Sequence, residues 1–173
     1  MQMRLIVVRA RAYYRQARRD HCLGAVGASA AERTLSRLGP QKPATGQFPV
    51  IYHQRVAGSL VGALAGAING AAIARGTSFL KDSMGEQITS PSLTFIDDPL
   101  RPRGMASRLF DGEGLAVSRR AMVEDGVLKS WFLDIASATK LGLAPNGQAA
   151  RGMGSSPAPG SSNFYLENGN ISF

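Results

Sequence analysis

Cysteine is almost absent: Cys22 stands alone among 173 residues, so neither an intrachain disulfide nor a cysteine-based zinc cluster can form. Histidine is nearly as scarce, with His21 and His53 only. A catalytic zinc usually takes three protein ligands, and His53 has no second histidine at helical spacing, so a satisfied or exposed histidine is the preferred reading. No serine stands in a Gly-x-Ser-x-Gly elbow, and no glycine-rich stretch continues into Gly-Lys-Ser/Thr or opens a helix as Gly-x-Gly-x-x-Gly. Three carboxylate pairs exist, Asp97–Asp98, Asp111–Glu113 and Glu124–Asp125. Each lies beside Pro or Gly, where acidic side chains commonly supply turn hydrogen bonds rather than acid–base chemistry. The chain holds no complete catalytic site of its own. Near its start, Leu5 to Val8 is shorter than the roughly 7 apolar residues that a secretory signal needs. With one cysteine and no export signal, the cytoplasm is the expected compartment.

Acidic residues are missing from Met1 to Arg19, and this sets the charge distribution. The first 50 residues hold nine basic side chains against Asp20 and Glu32, an excess of +7 within a total of +8. The remainder is close to neutral. An arginine-rich arm around Tyr13 and Tyr14 is compatible with RNA, a membrane surface or a transit peptide. A mis-called start or an unstructured tail is the preferred reading, and residues 1–27 are set apart as a basic leader.

Charge is also absent from Val56 to Ala74, a stretch of 19 residues. Val56, Leu60, Leu64 and Ile68 recur every four positions, as one bulky stripe along a helix. Gly58, Gly62, Gly66 and Gly70 recur at the same interval as a bare stripe. Glycine in a helix interior costs about 1 kcal/mol relative to Ala, so close approach of another backbone is expected to compensate. The rival is a membrane span. Ser59, Asn69, the few large aliphatics and the missing aromatic belt argue instead for a buried soluble helix.

Elsewhere the pattern is mixed. Ala28 to Leu38 reads as a short amphipathic helix ended by Gly39 and Pro40, and Phe48 to Tyr52 as a buried strand. Leu93 to Ile96 reads as a strand, and Leu115 to Leu133 as an antiparallel hairpin turning at Glu124-Asp125-Gly126. Asp134 is placed to cap a helix from Ile135 to Leu141, closed by Gly142. Asn146 to Ser162 reads as a long loop and Phe164 to Leu166 as a further strand. The class is α+β, an antiparallel or mixed sheet with a buried Gly/Ala-rich helix.

Several segments taken in order resemble the TldD/PmbA family, in its PmbA (TldE) branch. They are Arg55-Val-Ala-Gly-Ser-Leu60, Ala74-Arg-Gly-Thr-Ser-Phe-Leu80, Gly85-Glu-Gln87, Asp97-Asp-Pro-Leu-Arg-Pro-Arg-Gly104, Phe110-Asp-Gly-Glu-Gly114, Val123-Glu-Asp-Gly-Val-Leu128, Ala149-Ala-Arg-Gly152 and Asn163-Phe-Tyr-Leu166. The resemblance covers about Ala28 to Phe173, and implies a partial C-terminal-type domain over 28–173, truncated at both ends. In the TldD branch a His-Glu-x-x-x-His helix holds zinc with a later cysteine. That helix aligns here with Gly62-Ala-Leu-Ala-Gly-Ala67, so Gly62 and Ala67 fall where ligands stand and Ala63 where the base stands.

The resemblance therefore implies a non-catalytic subunit of a heteromeric metalloprotease, with no metal or cofactor in this chain and zinc in a TldD-like partner. It further implies unfolded peptide as substrate, held by main-chain pairing to a sheet edge, with Asn163 and Tyr165 as candidate lining of the peptide chamber. Two other functions compete. A nucleic-acid-associated regulator, after the family's description as modulators of DNA gyrase, is opposed by the near-neutral matching region. A membrane protein through residues 56–74 is the third.

Overall fold

The structure, a computed structural model, describes residues 23–169 and resolves into two compact units, one up to Gln54 and one from Arg55. Residues 1–22, which hold all the arginines of the leader together with His21 and Cys22, and the final Asn170 to Phe173 lie outside the described residues.

In the first unit, helix α1 spans Leu23–Leu35, starting ahead of the expected Ala28. Turns continue it to Leu38, and Gly39 follows in the left-handed region at φ 65°. Phe48 to Tyr52 corrects an expectation, because it pairs with no described strand and Phe48, Val50 and Ile51 are exposed. An apolar run becomes a strand only where a neighbour takes up its backbone groups, and none of the described residues does so here.

The second unit is α+β, with an antiparallel sheet as expected. Helix α2 (Gln54–Ala67) leads through Ile68 and Asn69 to a short helix α3 (Gly70–Ala74). The sheet comprises β1 (Phe95–Asp97), β2 (Arg120–Glu124), β3 (Val127–Leu128) and β6 (Phe164–Leu166), in the order β3-β2-β1-β6. Helix α4 (Ile135–Leu141) follows the hairpin, and β4 (Ala149–Ala150) pairs with β5 (Ala158–Pro159) in a separate two-stranded ladder.

Local chemistry explains the most regular parts. Glu124 opposes Val127 across a two-residue turn, Asp125 at φ 48° and Gly126 at φ 81°. Both central residues in the left-handed region suit the twist of a tight hairpin, which selects Asp-Gly. The backbone of this turn is also held from outside, since Gly126 donates to Leu93 O and accepts from Ile88 N, each at 2.9 Å. At α4 the Asp134 carboxylate accepts from Ser137 N at 2.8 Å, Ser137 Oγ accepts from Asp134 N in return, and Gly142 closes the helix at φ 68°.

The core gathers under the sheet around Ile68, Phe95, Met122, Val123, Leu128 and Phe132, all buried. Phe164 meets Phe132 edge-on at 5.4 Å between ring centroids, which ties β6 to this core.

Three expectations for this unit change. The hairpin is shorter than Leu115 to Leu133, its strands running only Arg120–Glu124 and Val127–Leu128. The span from Asn146 to Ser162 is not plain loop but carries the β4–β5 ladder, held by Ala149 N donating to the Asp111 carboxylate at 3.0 Å. Nor is α2 buried all round. Val61, Leu64, Ala65 and Ala67 pack on the core, while Gly58, Gly62 and Gly66 are exposed with no atom within 4 Å of where a Cβ would stand. Asn69 is the reason the helix stops short: its side chain accepts from Ala71 N to cap α3 and donates to Pro159 O at 2.9 Å. Of the four stripe glycines, only Gly70 meets the expected close approach, lying against the Phe132 carbonyl, to which its N–H donates at 2.8 Å. At 14 residues α2 is about 21 Å long at 1.5 Å per residue, short of a bilayer core of about 30 Å. No described helix is long and apolar enough to cross a membrane.

Candidate functional site

The aligned metal positions lie on α2. Gly62 and Ala63 are exposed, and Ala67 is half-buried near the helix end, where its carbonyl accepts from Ser78 Oγ at 2.6 Å. A hydrogen and two methyl groups provide no lone pair for a metal and no base for a water molecule, so these residues do not fit a zinc ion. Among the described residues no three His, Cys, Asp or Glu side chains converge as a metal site. His53 is exposed immediately ahead of α2.

Two of the three carboxylate pairs are engaged in the fold, whereas Glu124 and Asp125 are exposed at the hairpin turn, with Lys129 Nζ 4.0 Å from Glu124. Asp111 accepts from Glu113 N and Leu115 N at 2.9 Å each through one oxygen and from Ala149 N through the other. Asp98 accepts from Leu100 N at 3.1 Å, and Glu113 from Ile135 N at 2.8 Å. Asp97 is wholly buried on β1, although its sequence context points only to a turn. Its oxygens accept from Ser162 N at 2.7 Å, Ser162 Oγ at 2.8 Å and Gln148 Nε2 at 3.1 Å. Three donors on one buried carboxylate satisfy the charge and anchor the approach to β6. The signal that could have found it is an acidic residue at the end of an apolar strand, directly before an Asp-Pro turn.

Strand β6 carries the two lining candidates. Asn163, just ahead of it, is fully engaged: Oδ1 accepts from Ala106 N at 3.1 Å, and Nδ2 donates to Asp98 O at 2.9 Å and Ser107 Oγ at 3.0 Å. Its amide holds the loop from Asp98 to Ser107 in place. Gly104 is required there, because a Cβ would come within 2.5 Å of both Asn163 and Ser107. Tyr165 is half-buried on the strand itself, and the Arg101 guanidinium from the same loop lies 4.8 Å over its ring centre.

The backbone of β6 has one free edge. Asp98 N donates to Asn163 O and Glu167 N to Thr94 O, so the groups of Tyr165, midway between, face Ile96 across β1. By alternation the N–H and C=O of Phe164 and Leu166 point away from β1. Among the described residues no strand pairs with that side. Such an edge can take an extended segment through main-chain hydrogen bonds.

Residues 45–173 match the family description of the PmbA/TldA metallopeptidase C-terminal domain. The metalloprotease PmbA of Escherichia coli is 47% identical over 124 residues, which are 72% of this chain and 28% of that protein. A crystal structure from Bacteroides thetaiotaomicron, described as a candidate modulator of DNA gyrase, superposes with a TM-score of 0.76 at 31% identity, covering 87% of this chain and 32% of that one. TldE from Thermococcus kodakarensis gives a TM-score of 0.61 at 28% identity, over 68% of this chain and 27% of that one. The chain thus spans about a third or less of the length of these relatives.

Proposed function

Since the chain belongs to the PmbA/TldD metallopeptidase family, represented by its C-terminal domain, we propose that it acts as the non-catalytic, PmbA/TldE-type part of a heteromeric metalloprotease that processes peptides. The observation that carries this is the identity of three residues on α2. By the resemblance, Gly62, Ala63 and Ala67 fall at the ligand and base positions of the catalytic branch, and their side chains offer no donor atom. Asp97, Asp111 and Glu113, three of the carboxylates that could substitute for the base, are occupied in structural hydrogen bonds. Zinc and the hydrolytic water then belong to a TldD-like partner. This chain contributes wall and peptide-holding surface, with unfolded peptide paired along the free edge of β6. Main-chain pairing would make the sequence preference loose, since every residue but proline supplies the same N–H and C=O.

The test is reconstitution. Purified alone, the chain is expected to contain no stoichiometric zinc by elemental analysis and to leave an unfolded casein peptide intact. Mixed with a zinc-loaded TldD-like subunit, it is expected to co-elute with it and raise peptide cleavage. Chelator-sensitive cleavage by the chain alone, with one zinc per chain, would sink the proposal.

A nucleic-acid role has weaker support. In the loop from Asp98 to Asp111 three arginines, Arg101, Arg103 and Arg108, carry no acid between them. Yet the one aromatic stacked with them, Tyr165, has its ring face covered by Arg101, and a base-stacking platform needs that face open.

A further inference from the structure

The geometry points to Arg101 as a specificity-determining residue that selects peptides carrying an Asp or Glu side chain at the position facing Tyr165. The inference rests on the reading that peptide pairs with the free edge of β6, and adds to it a preference in an otherwise sequence-tolerant mode.

Register carries the argument first. The outward groups of β6 belong to Phe164 and Leu166, so an added strand exchanges hydrogen bonds with those two residues. The peptide residue between them lies directly opposite Tyr165 in a non-hydrogen-bonded pair, where Cβ atoms come to about 4.5–5.5 Å and side chains share one face. On that face the Arg101 guanidinium is already parked, 4.8 Å over the Tyr165 ring.

Charge carries it second. Arg101 is exposed and forms no ion pair among the described residues, whereas Arg119 at the other end of β6 is paired with Glu167 at 3.4 Å. The loop that supplies Arg101 contains two more arginines and no acid between Asp98 and Asp111. At one end of the free edge Arg101 therefore has no ion-pair partner among the described residues, whereas Arg119 at the other is paired. Hydrogen bonds fix the loop in this position. Ser107 Oγ donates to Arg101 O at 2.6 Å, Gly104 N donates to the same carbonyl at 3.1 Å, and Asn163 ties Asp98, Ala106 and Ser107 together. A guanidinium kept in place over an aromatic ring loses little freedom on meeting a carboxylate, and the charge-assisted pair has a fork geometry that neutral side chains lack.

The experiment uses the 173-residue chain and short fluorescein-labelled peptides alternating Thr and Val, with a single central Glu, Gln or Lys, read by fluorescence anisotropy. The Glu peptide is expected to bind roughly tenfold more tightly than the Gln peptide at low salt, the size of one charge-assisted contact. Arg101→Gln should erase that ratio, bringing Glu and Gln peptides to equal affinity, and Arg101→Glu should shift the preference to the Lys peptide. N-methylation of the two residues flanking the Glu should abolish binding, because their amides face Phe164 and Leu166. Equal binding of Glu and Gln peptides with sensitivity to N-methylation intact overturns the role of Arg101 alone. So does a preference that survives Arg101→Gln, or one that follows a free C-terminal carboxylate instead of the Glu side chain. Binding indifferent to N-methylation, or no binding by any peptide, overturns the edge-pairing reading and this inference with it.

Discussion

Gly70 and Gly62 share a helical stripe in the sequence but not an environment. A Cβ on Gly70 would run into the Phe132 carbonyl and approach the Leu133 side chain at 2.8 Å, whereas one on Gly62 meets nothing within 4 Å. Gly70→Ala is therefore expected to destabilise the chain by about 1–3 kcal/mol through overpacking. Gly62→Ala should stabilise it by up to about 1 kcal/mol, since an exposed helical glycine gives way to the best helix former. Urea denaturation of both variants checks the pair, and opposite signs are the expected result. The periodicity is visible along the sequence, but which glycine touches a neighbour depends on Phe132, 62 positions beyond Gly70. Asn163 teaches the same lesson from the polar side, because its side-chain partners lie in a loop more than 50 residues earlier.

Elements written in local chemistry are legible from residue order alone. Helix α4 has its start and stop within nine residues, Asp134 to Gly142. Asp134→Ala removes the acceptor for Ser137 N and should cost about 1–2 kcal/mol, the usual loss for an N-cap. Loss of helical ellipticity with a lowered urea midpoint would register it, and an unchanged midpoint would mean that the cap is dispensable. The hairpin is as local, since Asp125 and Gly126 supply the left-handed turn. Gly126→Val should cost about 3 kcal/mol or more, because a side chain is strained at that φ and would meet Thr89 O at 2.6 Å. Chemical denaturation is again the measurement. Strands β4 and β5 are not legible in this way. Each is two residues long, too short for alternation to show, and their placement depends on the distant Asp111 carboxylate.

At the scale of the whole second unit, Asp97 joins what the chain order keeps apart. It connects β1 to Gln148, 51 residues on, and to Ser162, 65 residues on. Asp97→Ala would take the acceptor from Ser162 N, Ser162 Oγ and Gln148 Nε2, leaving buried donors unsatisfied. The expected loss is about 3 kcal/mol, the upper part of the range for a buried group left without a partner. Asp97→Ala should also raise hydrogen exchange at β6 more than at α4, because Ser162 is held by Asp97 while the α4 cap is local. Uniform exchange across both elements would show that Asp97 does not anchor β6 in particular.

By itself the sequence determined the α+β class, the tight turn of the hairpin at Asp125 and Gly126, and helix α4 with both caps. These follow from residue type and from signals a few positions long, where propensity and turn chemistry act. Only the tertiary structure decided that the glycine face of α2 is open, that Asn69 breaks the helix, that Asp97 is a buried hub and that Arg101 lies over Tyr165. Each of those depends on groups brought together across long stretches of chain. Packing and burial, which no local pattern encodes, settle whether a given side chain meets a neighbour or water.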